Sequence, residues 1–413
     1  MEAQEYLKIM KEFQELLINY IEGENSNDEF QSLTYFTNLH NLTSKRGTLE
    51  DILYLILNIA ENHHKEPNFF EKIINFFKFY LSDIKSNFKN IDIFNIFKIS
   101  KKLFYLFIQN KTITLDEELI KAIISDNNFN ETLQLRYCLY SEIKNYIDED
   151  MQKNIESYIS QVFPDGIELF IQKCKEGEND SYICSLIRSD SVEEFISYVT
   201  RTNFPINEGK ISSLFETNSF LKKNQFRKLI EYAAFFGSIQ IYRYLRMNNV
   251  DIPYSVWEYA IHGRNADIIH LLEEDKIEPL YKDYQYCLNE AIICHHNDIA
   301  NYIIDNLMNK EKNENKNCYE HIAKSFNFAF FPCFLDNFYN EDNIGFEFNK
   351  VNYFSTFTNV NIPDDATRIC KGTFKDFKSL KEIVIPSSVE IIGDCAFEGC
   401  SSLEKIEIPS SVT

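Results

Sequence analysis

The chain has 413 residues, a formal net charge of −21 and 44% hydrophobic residues, but only 11 glycines and 9 prolines. The hydrophobic content rules out a wholly disordered chain, and the scarcity of glycine and proline argues against a loop-rich all-β fold. Because a strongly negative surface repels phosphate groups, we do not expect a nucleic-acid-binding protein.

The sequence carries no signal for export or membrane insertion. Its first residues, Met1 to Glu5, are acidic and lack an apolar core, and no continuous apolar run is long enough to span a bilayer. The ten cysteines are spread from Cys138 to Cys400 without a dense framework. We therefore expect a cytoplasmic protein with reduced thiols and no transmembrane segment.

Residues 1–165 have the apolar spacing of successive short helices. The first pattern starts near Tyr6 and stops at Gly23, Thr48 is a candidate N-cap for the second helix, and Pro67 opens another. Further helices are predicted at 91–109, 115–125, 131–145 and 151–162. This pattern predicts an all-α N-terminal domain, which either stabilises the region that follows or forms a binding or oligomerisation module.

Residues 166–308 contain an internal repeat. Three segments align without a gap on Ala233, Ala260 and Ala291, which are 27 and 31 residues apart. Each unit has the pattern of a short helix, a turn of small or polar residues and a second amphipathic helix. The alanine lets the first helix approach its neighbour closely. Since one such pair cannot bury its apolar face alone, the units must stack.

The segment Gly237–Leu245 resembles the second half of an ankyrin repeat, which commonly has the sequence Gly-His-Leu-Glu-Ile-Val-Lys-Leu-Leu. The Thr-Pro-Leu-His opening of that repeat is absent, and the periods are shorter than its 33 residues. The block from Cys184 to Asp305 is similar to a divergent ankyrin-containing domain of unknown function that is abundant in trichomonad-type protists. The resemblance implies an ankyrin-like α-solenoid with trimmed loops.

Residues 309–345 form a linker and an aromatic-rich connector. The run 309–317 is polar and has no apolar anchor, whereas the stretch that follows contains six phenylalanines between Phe326 and Phe338. We expect this stretch to pack the end of the helical repeats against the next region. The alternative is a partner-binding patch.

Residues 346–413 contain a second repeat, with a period of 23. It is marked by Ile362-Pro363, Ile385-Pro386 and Ile408-Pro409. Each unit alternates as Leu-x-x-Ile-x-Ile-Pro, which predicts a short strand that proline ends. The interior of the resulting parallel solenoid is predicted to be filled by Phe374, Leu380, Ile383 and Ile385, and one unit later by Phe397, Leu403, Ile406 and Ile408.

Residues 385–407, Ile-Pro-Ser-Ser-Val-Glu-Ile-Ile-Gly-Asp-Cys-Ala-Phe-Glu-Gly-Cys-Ser-Ser-Leu-Glu-Lys-Ile-Glu, are very similar to the BspA-like leucine-rich repeat. The resemblance implies a recognition surface on the outward strand positions, which makes Glu382, Val384, Lys405 and Glu407 candidate partner-binding residues. The alternative is that they are ordinary solvated strand residues. The sequence stops in phase at Thr413, so we expect either a truncated chain or an open edge that self-associates.

A search for catalytic and ligand-binding motifs identifies no catalytic, cofactor or metal site. There is no phosphate loop, no His-Glu-x-x-His and no Cys-x-x-Cys. Cys294, His295 and His296 are adjacent, but neighbouring helical residues point about 100° apart and cannot all reach one ion. The chain is therefore not expected to be an enzyme.

Together these patterns predict a mainly α fold, in which a helical N-terminal region and an ankyrin-like α-solenoid precede a small C-terminal leucine-rich-repeat β-solenoid. The predicted domains are 1–165, 166–308, 309–345 and 346–413. The predicted function is a non-catalytic interaction or scaffold protein that binds other proteins. Two alternatives are a surface antigen or adhesin of the BspA-like type, and an enzyme with an unrecognised site in the N-terminal helices.

Overall fold

The computed structural model describes residues 3–24, 26–63, 68–126, 134–223, 227–308, 319–330, 359–362, 367–369 and 372–412. By its internal contacts the chain forms two compact units. Unit 1 combines Met1–Asn62 with Lys282–Thr413, and unit 2 is the intervening His63–Tyr281. The domain boundaries predicted at residues 165, 308 and 345 rest on changes in the sequence pattern, not on contacts. They stay predictions.

The described part of the chain is mainly helical, with few and short strands. Its first twelve helices are α1 (Ala3–Glu22), α2 (Ser26–Leu39), α3 (Arg46–Asn62), α4 (Phe69–Phe79), α5 (Leu81–Asn87), α6 (Asn90–Phe97), α7 (Lys101–Gln109), α8 (Glu117–Ser125), α9 (Leu135–Cys138), α10 (Tyr140–Ile143), α11 (Glu149–Val162) and α12 (Ile167–Glu176). Among the helices of the described ranges, none is both long and apolar enough to cross a membrane.

The predicted helix ends are partly right. The stop at Gly23 is confirmed, because α1 ends at the residue before it. Thr48 is not an N-cap: the Leu49 N–H donates to the Lys45 carbonyl at 3.0 Å, so helical hydrogen bonding begins earlier and α3 starts at Arg46. The single helix predicted over 91–109 is two helices, α6 and α7. Pro67 lies outside the described residues.

Unit 2 continues with helix pairs that pack on one another. Its remaining elements are α13 (Tyr182–Arg188), α14 (Val192–Thr202), β1 (Lys210–Ile211), α15 (Ser219–Lys223), β2 (Arg227–Lys228), α16 (Leu229–Phe236), α17 (Ile239–Met247), α18 (Val256–Gly263) and α19 (Ala266–Glu274). The pairs are α13 with α14, α16 with α17 and α18 with α19, and neighbouring pairs pack first helix on first helix and second on second. The anchor residues Ala233 and Ala260 are fully buried, as predicted.

The turn inside each pair has the same backbone geometry although its sequence differs. One residue at each turn has a positive φ: 48° at Asp190, 62° at Gly237 and 44° at Arg264. The aligned residue of the third predicted repeat, His295 in unit 1, has a φ of 60°. Glycine adopts this conformation without steric cost, and aspartate, asparagine and histidine adopt it more readily than other side chains. The four helix pairs therefore share one turn geometry, and the residue with positive φ is glycine in only one of the four.

Polar side chains at the turns join one pair to the next. The Asp190 carboxylate accepts hydrogen bonds from the backbone N–H groups of Gln240 and Ile241, at 3.1 and 3.0 Å, and so caps the start of α17 in the following pair. In the opposite direction, the Ser238 hydroxyl donates to the Ile187 carbonyl at 2.6 Å. These bonds satisfy backbone groups that a helix end leaves without intrahelical partners.

We expect Asp190→Ala to destabilise unit 2 by about 1 to 3 kcal/mol, because the change removes the cap of α17 and places alanine in a left-handed conformation. Asp190→Asn should cost less, since asparagine keeps an acceptor oxygen and tolerates this backbone. Urea unfolding of the full chain would measure both variants. If Asp190→Ala is as stable as the wild-type chain, the capping assignment is wrong.

In unit 1 the third predicted repeat forms a helix pair of its own. The elements are α20 (Gln285–Ile293), α21 (Asn297–Tyr302), a π-helical turn over Ile303–Leu307 and α22 (Tyr319–Ser325). The first two of these helices pack on each other, and α20 also packs on α22. Ala291 and Ala300 are fully buried, as the repeat alignment predicts.

A buried hydrogen-bond network joins the N-terminal helix α1 to this pair and to the segment after α22. The Phe328 N–H donates to Gln14 Oε1 at 2.7 Å, and Gln14 Nε2 donates to Asn327 Oδ1 at 2.9 Å. The same Nε2 lies 3.2 Å from His295 Nδ1, and His295 Nε2 lies 2.8 Å from the Ser325 carbonyl. Because the Gln14 amide nitrogen can only donate, His295 accepts at Nδ1 and donates from Nε2.

The described part of the aromatic-rich connector therefore packs against the N-terminal helices. The Phe326 ring stacks on Tyr54 of α3 with centroids 5.2 Å apart, and the Phe328 ring meets Tyr6 of α1 edge-on at 6.5 Å. The described part also packs on the last repeat helices, through the contact of α22 with α20 and the hydrogen bonds of Asn327 to Ile292 and Asn297. The expected contact of the connector with the C-terminal region stays a prediction. The phenylalanines after residue 330 lie outside the described residues.

Candidate recognition surface

The C-terminal repeat forms two parallel sheets. Its strands are β3 (Asn359–Asn361), β4 (Arg368–Ile369), β5 (Glu382–Val384), β6 (Ile391–Ile392) and β7 (Lys405–Glu407). One sheet has the order β3-β5-β7 and the other pairs β4 with β6. Val360 lies opposite Ile383, and Ile383 lies opposite Ile406, so the register advances by one 23-residue repeat per strand. The spacing of the Ile-Pro pairs predicts this register.

The interior residues of the repeat at 374–385 are buried as predicted. Those of the next repeat, at 397–408, are less buried. Phe374, Leu380, Ile383 and Ile385 are all buried. In the following unit Phe397, Leu403 and Ile406 are half-buried, and Ile408 is 61% exposed. The prediction that Ile408 is interior is wrong because, among the described residues, β7 pairs with a strand on one side only. A parallel repeat buries its apolar residues by stacking on both neighbours.

The turns between strands are also joined from unit to unit. The Phe374 and Phe397 rings stack at 5.5 Å, and the Phe374 N–H donates to the Ala396 carbonyl at 2.8 Å. Gly372 and Cys395 occupy equivalent turn positions and have positive φ values of 68° and 56°. This backbone ladder fixes the strands, so that the side chains they carry are presented on a rigid frame.

The four candidate partner-binding residues lie on one face of these strands. In β5, Glu382 and Val384 are exposed while Ile383 between them is buried, and Lys405 and Glu407 of β7 are exposed in the same alternation. The register places Glu382 opposite Lys405 and Val384 opposite Glu407. We call these four residues the strand face. Val384 is 65% exposed, so this face combines an exposed aliphatic side chain with three charges.

Electrostatic contacts order the charges of the strand face. Lys405 Nζ lies 2.9 Å from Glu407 Oε1. The hydrogen bond and charge of Glu407 raise the pKa of Lys405, with a further contribution from Glu382, and Lys405 lowers the pKa of Glu407. Since both side chains are largely exposed, this pair adds little to stability.

Unit 2 contains a partly buried polar cluster that sequence patterns did not predict. Arg188 Nη1 donates to the Asn179 carbonyl and to the Tyr232 hydroxyl, both at 2.9 Å, and Arg188 Nε lies 3.1 Å from Glu178 Oε2. Glu178 and Asn179 lie between α12 and α13, Arg188 ends α13 and Tyr232 is in α16, so periodicity alone could not associate them. An arginine in the last turn of a helix is the only local signal, and it is a common one.

Burial raises the pKa of two groups close to this cluster, Glu216 and Cys184. Burial raises the pKa of Glu216, although the Asn218 N–H and the charges of Arg227 and Arg188 act in the opposite direction. Burial also raises the pKa of Cys184 to about 11, so its thiol is protonated at neutral pH and is not an activated nucleophile. The buried Glu216 carboxylate accepts a hydrogen bond from the Asn218 N–H at 3.1 Å.

Comparison with protein families gives two matches. The family model described as "BspA type Leucine rich repeat region (6 copies)" matches residues 347–413, and the one described as "Domain of unknown function (DUF3447)" matches residues 247–309. No match was found among curated proteins or among solved structures. The DUF3447 match covers the later part of the block that the sequence patterns delimited at Cys184 and Asp305. The chain therefore carries a BspA-type leucine-rich repeat region at its C-terminal end, preceded by a DUF3447 domain.

Proposed function

We propose that this chain is a non-catalytic scaffold protein that binds other proteins through two kinds of repeat. One is the set of ankyrin-like helix pairs, and the other is a leucine-rich β-solenoid. The observation that supports the proposal most directly is the BspA-type match over residues 347–413, together with the exposed strand face of β5 and β7. Leucine-rich repeats usually mediate protein interactions. The cytoplasmic location expected from the sequence is part of this proposal.

The chemistry of the strand face suits a protein partner. Val384 supplies an exposed aliphatic contact next to Glu407, while Glu382 and Lys405 supply charges that can select a complementary surface. Because these side chains are on paired strands, binding orders little backbone, which reduces its entropic cost. Two strands cover less than the roughly 800 Å² per partner of a standard interface. In this proposal the helix pairs supply additional binding surface.

Charge reversal on the strand face tests this proposal. The double variant Glu382→Lys with Glu407→Lys should reduce capture of a specific partner by the full-length chain about tenfold or more, since like charges across an interface are repulsive. Quantitative pull-down from the source cells, with each captured band measured against wild-type bait, is the measurement. The fold of each variant is checked by circular dichroism.

The matched control reverses two carboxylates elsewhere. Glu117 and Glu149 are 84% and 89% exposed on helices of unit 2, so Glu117→Lys with Glu149→Lys makes the same change in net charge. Partner capture should be unchanged in this control. Equal capture by the strand-face variant and the wild-type chain would contradict a recognition role for this face. A chain without residues 346–413 shows which captured proteins depend on the leucine-rich region.

The second candidate function is a surface antigen or adhesin, which the BspA-type match also favours. The two candidates differ in where the chain meets its partner. Protease treatment of intact cells separates them: digestion of the chain supports the surface function, and protection supports the intracellular scaffold.

A further inference from the structure

Helices α4 to α7 of unit 2 carry an excess of positive charge in an otherwise acidic chain. Between Phe69 and Lys111 the sequence has eight lysines and only three carboxylates, which gives a formal charge of +5. Since the whole chain carries −21, the remaining residues carry −26. Charges more than about 8 Å away are largely screened at physiological ionic strength, so these helices have a local positive field of their own.

Four exposed lysines produce most of this field: Lys78, Lys85, Lys89 and Lys111. Within the described ranges, none of their ammonium groups is in an ion pair. Exposed basic side chains elsewhere in unit 2 do pair with carboxylates, namely Lys121 with Glu117, Lys153 with Glu149 and Arg243 with Asp267. The four lysines therefore keep a charge that no neighbouring carboxylate offsets directly.

Packing of the helices brings Lys78 and Lys111 to the same end of this helical region. Lys102 Nζ lies 5.0 Å from the Phe70 ring centroid, where α4 and α7 begin, and Lys78 Nζ donates to Asn110 Oδ1 at 2.9 Å, where they end. The two helices are therefore parallel. The second contact places Lys78 beside the residue that precedes Lys111.

The other two lysines reach this end through α5. Asn90 Nδ2, at the start of α6, donates to Thr114 Oγ1 at 3.1 Å, so the residue after Lys89 is held against the segment that follows Lys111. Lys85 is four residues before Lys89, in the last turn of α5. We call Lys78, Lys85, Lys89 and Lys111 the lysine cluster.

Two carboxylates close to the lysine cluster in sequence cap helices. Asp92 accepts from the Lys89 N–H at 3.0 Å at the start of α6, and Asp116 accepts from the Leu119 N–H at 2.9 Å at the start of α8. A helix N-terminus has a partial positive charge, which offsets a capping carboxylate. These acids therefore reduce the positive field of the cluster only in part.

We propose that the lysine cluster binds an acidic segment of a partner protein. Each lysine ammonium attracts a carboxylate as a point charge and does not require one fixed bidentate geometry, which suits a flexible segment. Phe79 follows Lys78 directly and is 54% exposed, so an apolar side chain between the acids gains a ring contact. This surface belongs to unit 2, whereas the strand face belongs to unit 1, so either can fail without the other.

The charge of the rest of the chain favours a short segment over an extended polyanion. A bilayer or a nucleic-acid duplex is large enough to bring its phosphates close to the surfaces that carry −26, where they are repelled. A segment of a few residues meets only the field within a Debye length of the cluster. Charge complementarity therefore selects an acidic protein segment.

Binding of an acidic peptide to the full-length chain tests this proposal. The probe is a fluorescent peptide that repeats Glu-Glu-Leu, and the comparison peptide repeats Gln-Gln-Leu. The wild-type chain should bind the first and not the second. Lys78→Glu with Lys111→Glu should raise the Kd about tenfold or more, since like charges are then opposed. Fluorescence anisotropy measures the Kd, and circular dichroism checks the fold.

The matched control reverses two basic side chains that are in ion pairs. Lys153 and Arg243 are 71% and 55% exposed, so Lys153→Glu with Arg243→Glu makes the same change in net charge. This control should bind the acidic peptide as the wild-type chain does. Equal Kd values for the wild-type chain and both variants would overturn the proposal, and so would a wild-type chain that does not bind the peptide.

Two further measurements need no variant. Raising the salt concentration from about 50 to about 300 mM should weaken binding of the acidic peptide to the wild-type chain about tenfold, because the attraction is screened. A Kd that does not change with salt would contradict a charge-based site. Vesicles of phosphatidylserine and phosphatidylcholine should not sediment the chain. Binding to vesicles without binding to the peptide would assign the cluster to a membrane surface and overturn the proposal.

Discussion

Replacing Gly263 by alanine should destabilise unit 2 by about 3 kcal/mol or more, the upper range for overpacking a rigid core. A Cβ at this position would lie 2.0 Å from the backbone oxygen of Ala234 on the neighbouring helix α16. The clash is with backbone, so no side-chain rotation relieves it. For a unit of this size, such a loss lowers the melting midpoint by roughly 6 to 12 °C. Thermal unfolding followed by circular dichroism measures it.

The sign of the effect makes this experiment decisive. Gly263 is the last residue of α18, and at an unobstructed helical site alanine is more stable than glycine by roughly 0.5 to 1 kcal/mol. A stabilised or unchanged Gly263→Ala chain would therefore show that α16 and α18 do not approach as closely as described. Gly372→Ala provides a comparison, since nothing lies within 4 Å of its added Cβ and only the positive φ opposes it.

Ala260→Asp should have a comparable or larger effect. Ala260 is fully buried on α18, and α16 and α18 form the most extensive helix contact of unit 2. An uncompensated buried charge costs about 3 to 5 kcal/mol, a large part of the total stability of a typical domain. We expect unit 2 to be largely unfolded or to melt far below the wild-type chain, as measured by circular dichroism and urea titration.

Ala266→Asp makes the same substitution on the next helix, where the side chain is exposed. It is in the first turn of α19, where a negative charge is favourable, so this variant should be as stable as the wild-type chain or slightly more so. Equal stability of the Ala260→Asp and Ala266→Asp chains would show that Ala260 is not buried in the contact between α16 and α18.

The sequence predicts those features that depend on periodic spacing. The 23-residue spacing of the Ile-Pro pairs gives the strand register, because each strand repeats the position of the previous one. The aligned alanines predict where neighbouring helices pack closely, since only a small side chain fits at such a contact, and these alanines are buried. The alternation around Ile383 likewise places Glu382 and Val384 on an exposed face.

Features that depend on a single long-range contact were not predictable. Asp190 caps a helix of the next pair about 50 residues later, and nothing in the local pattern distinguishes it from a surface acid. The packing of Phe220 on Phe235 and Tyr259 depends on how the chain between α14 and α16 folds back, which spacing does not encode. Thr48 was misassigned because an N-cap residue type also occurs inside the first turn of α3.

The hydrogen bond from Phe328 to Gln14 spans 314 residues. The helices α1 to α3 belong to the same unit as the last third of the chain. During synthesis at about 5 to 20 residues per second, α1 therefore waits roughly 15 to 60 s for Phe328 to be made. All of His63–Tyr281 is translated in that interval. The apolar side of α1 remains incompletely covered until then, which makes the nascent chain a candidate for chaperone binding. An early stop within the intervening unit would leave that surface permanently exposed, so prematurely terminated chains should aggregate more than the full-length protein.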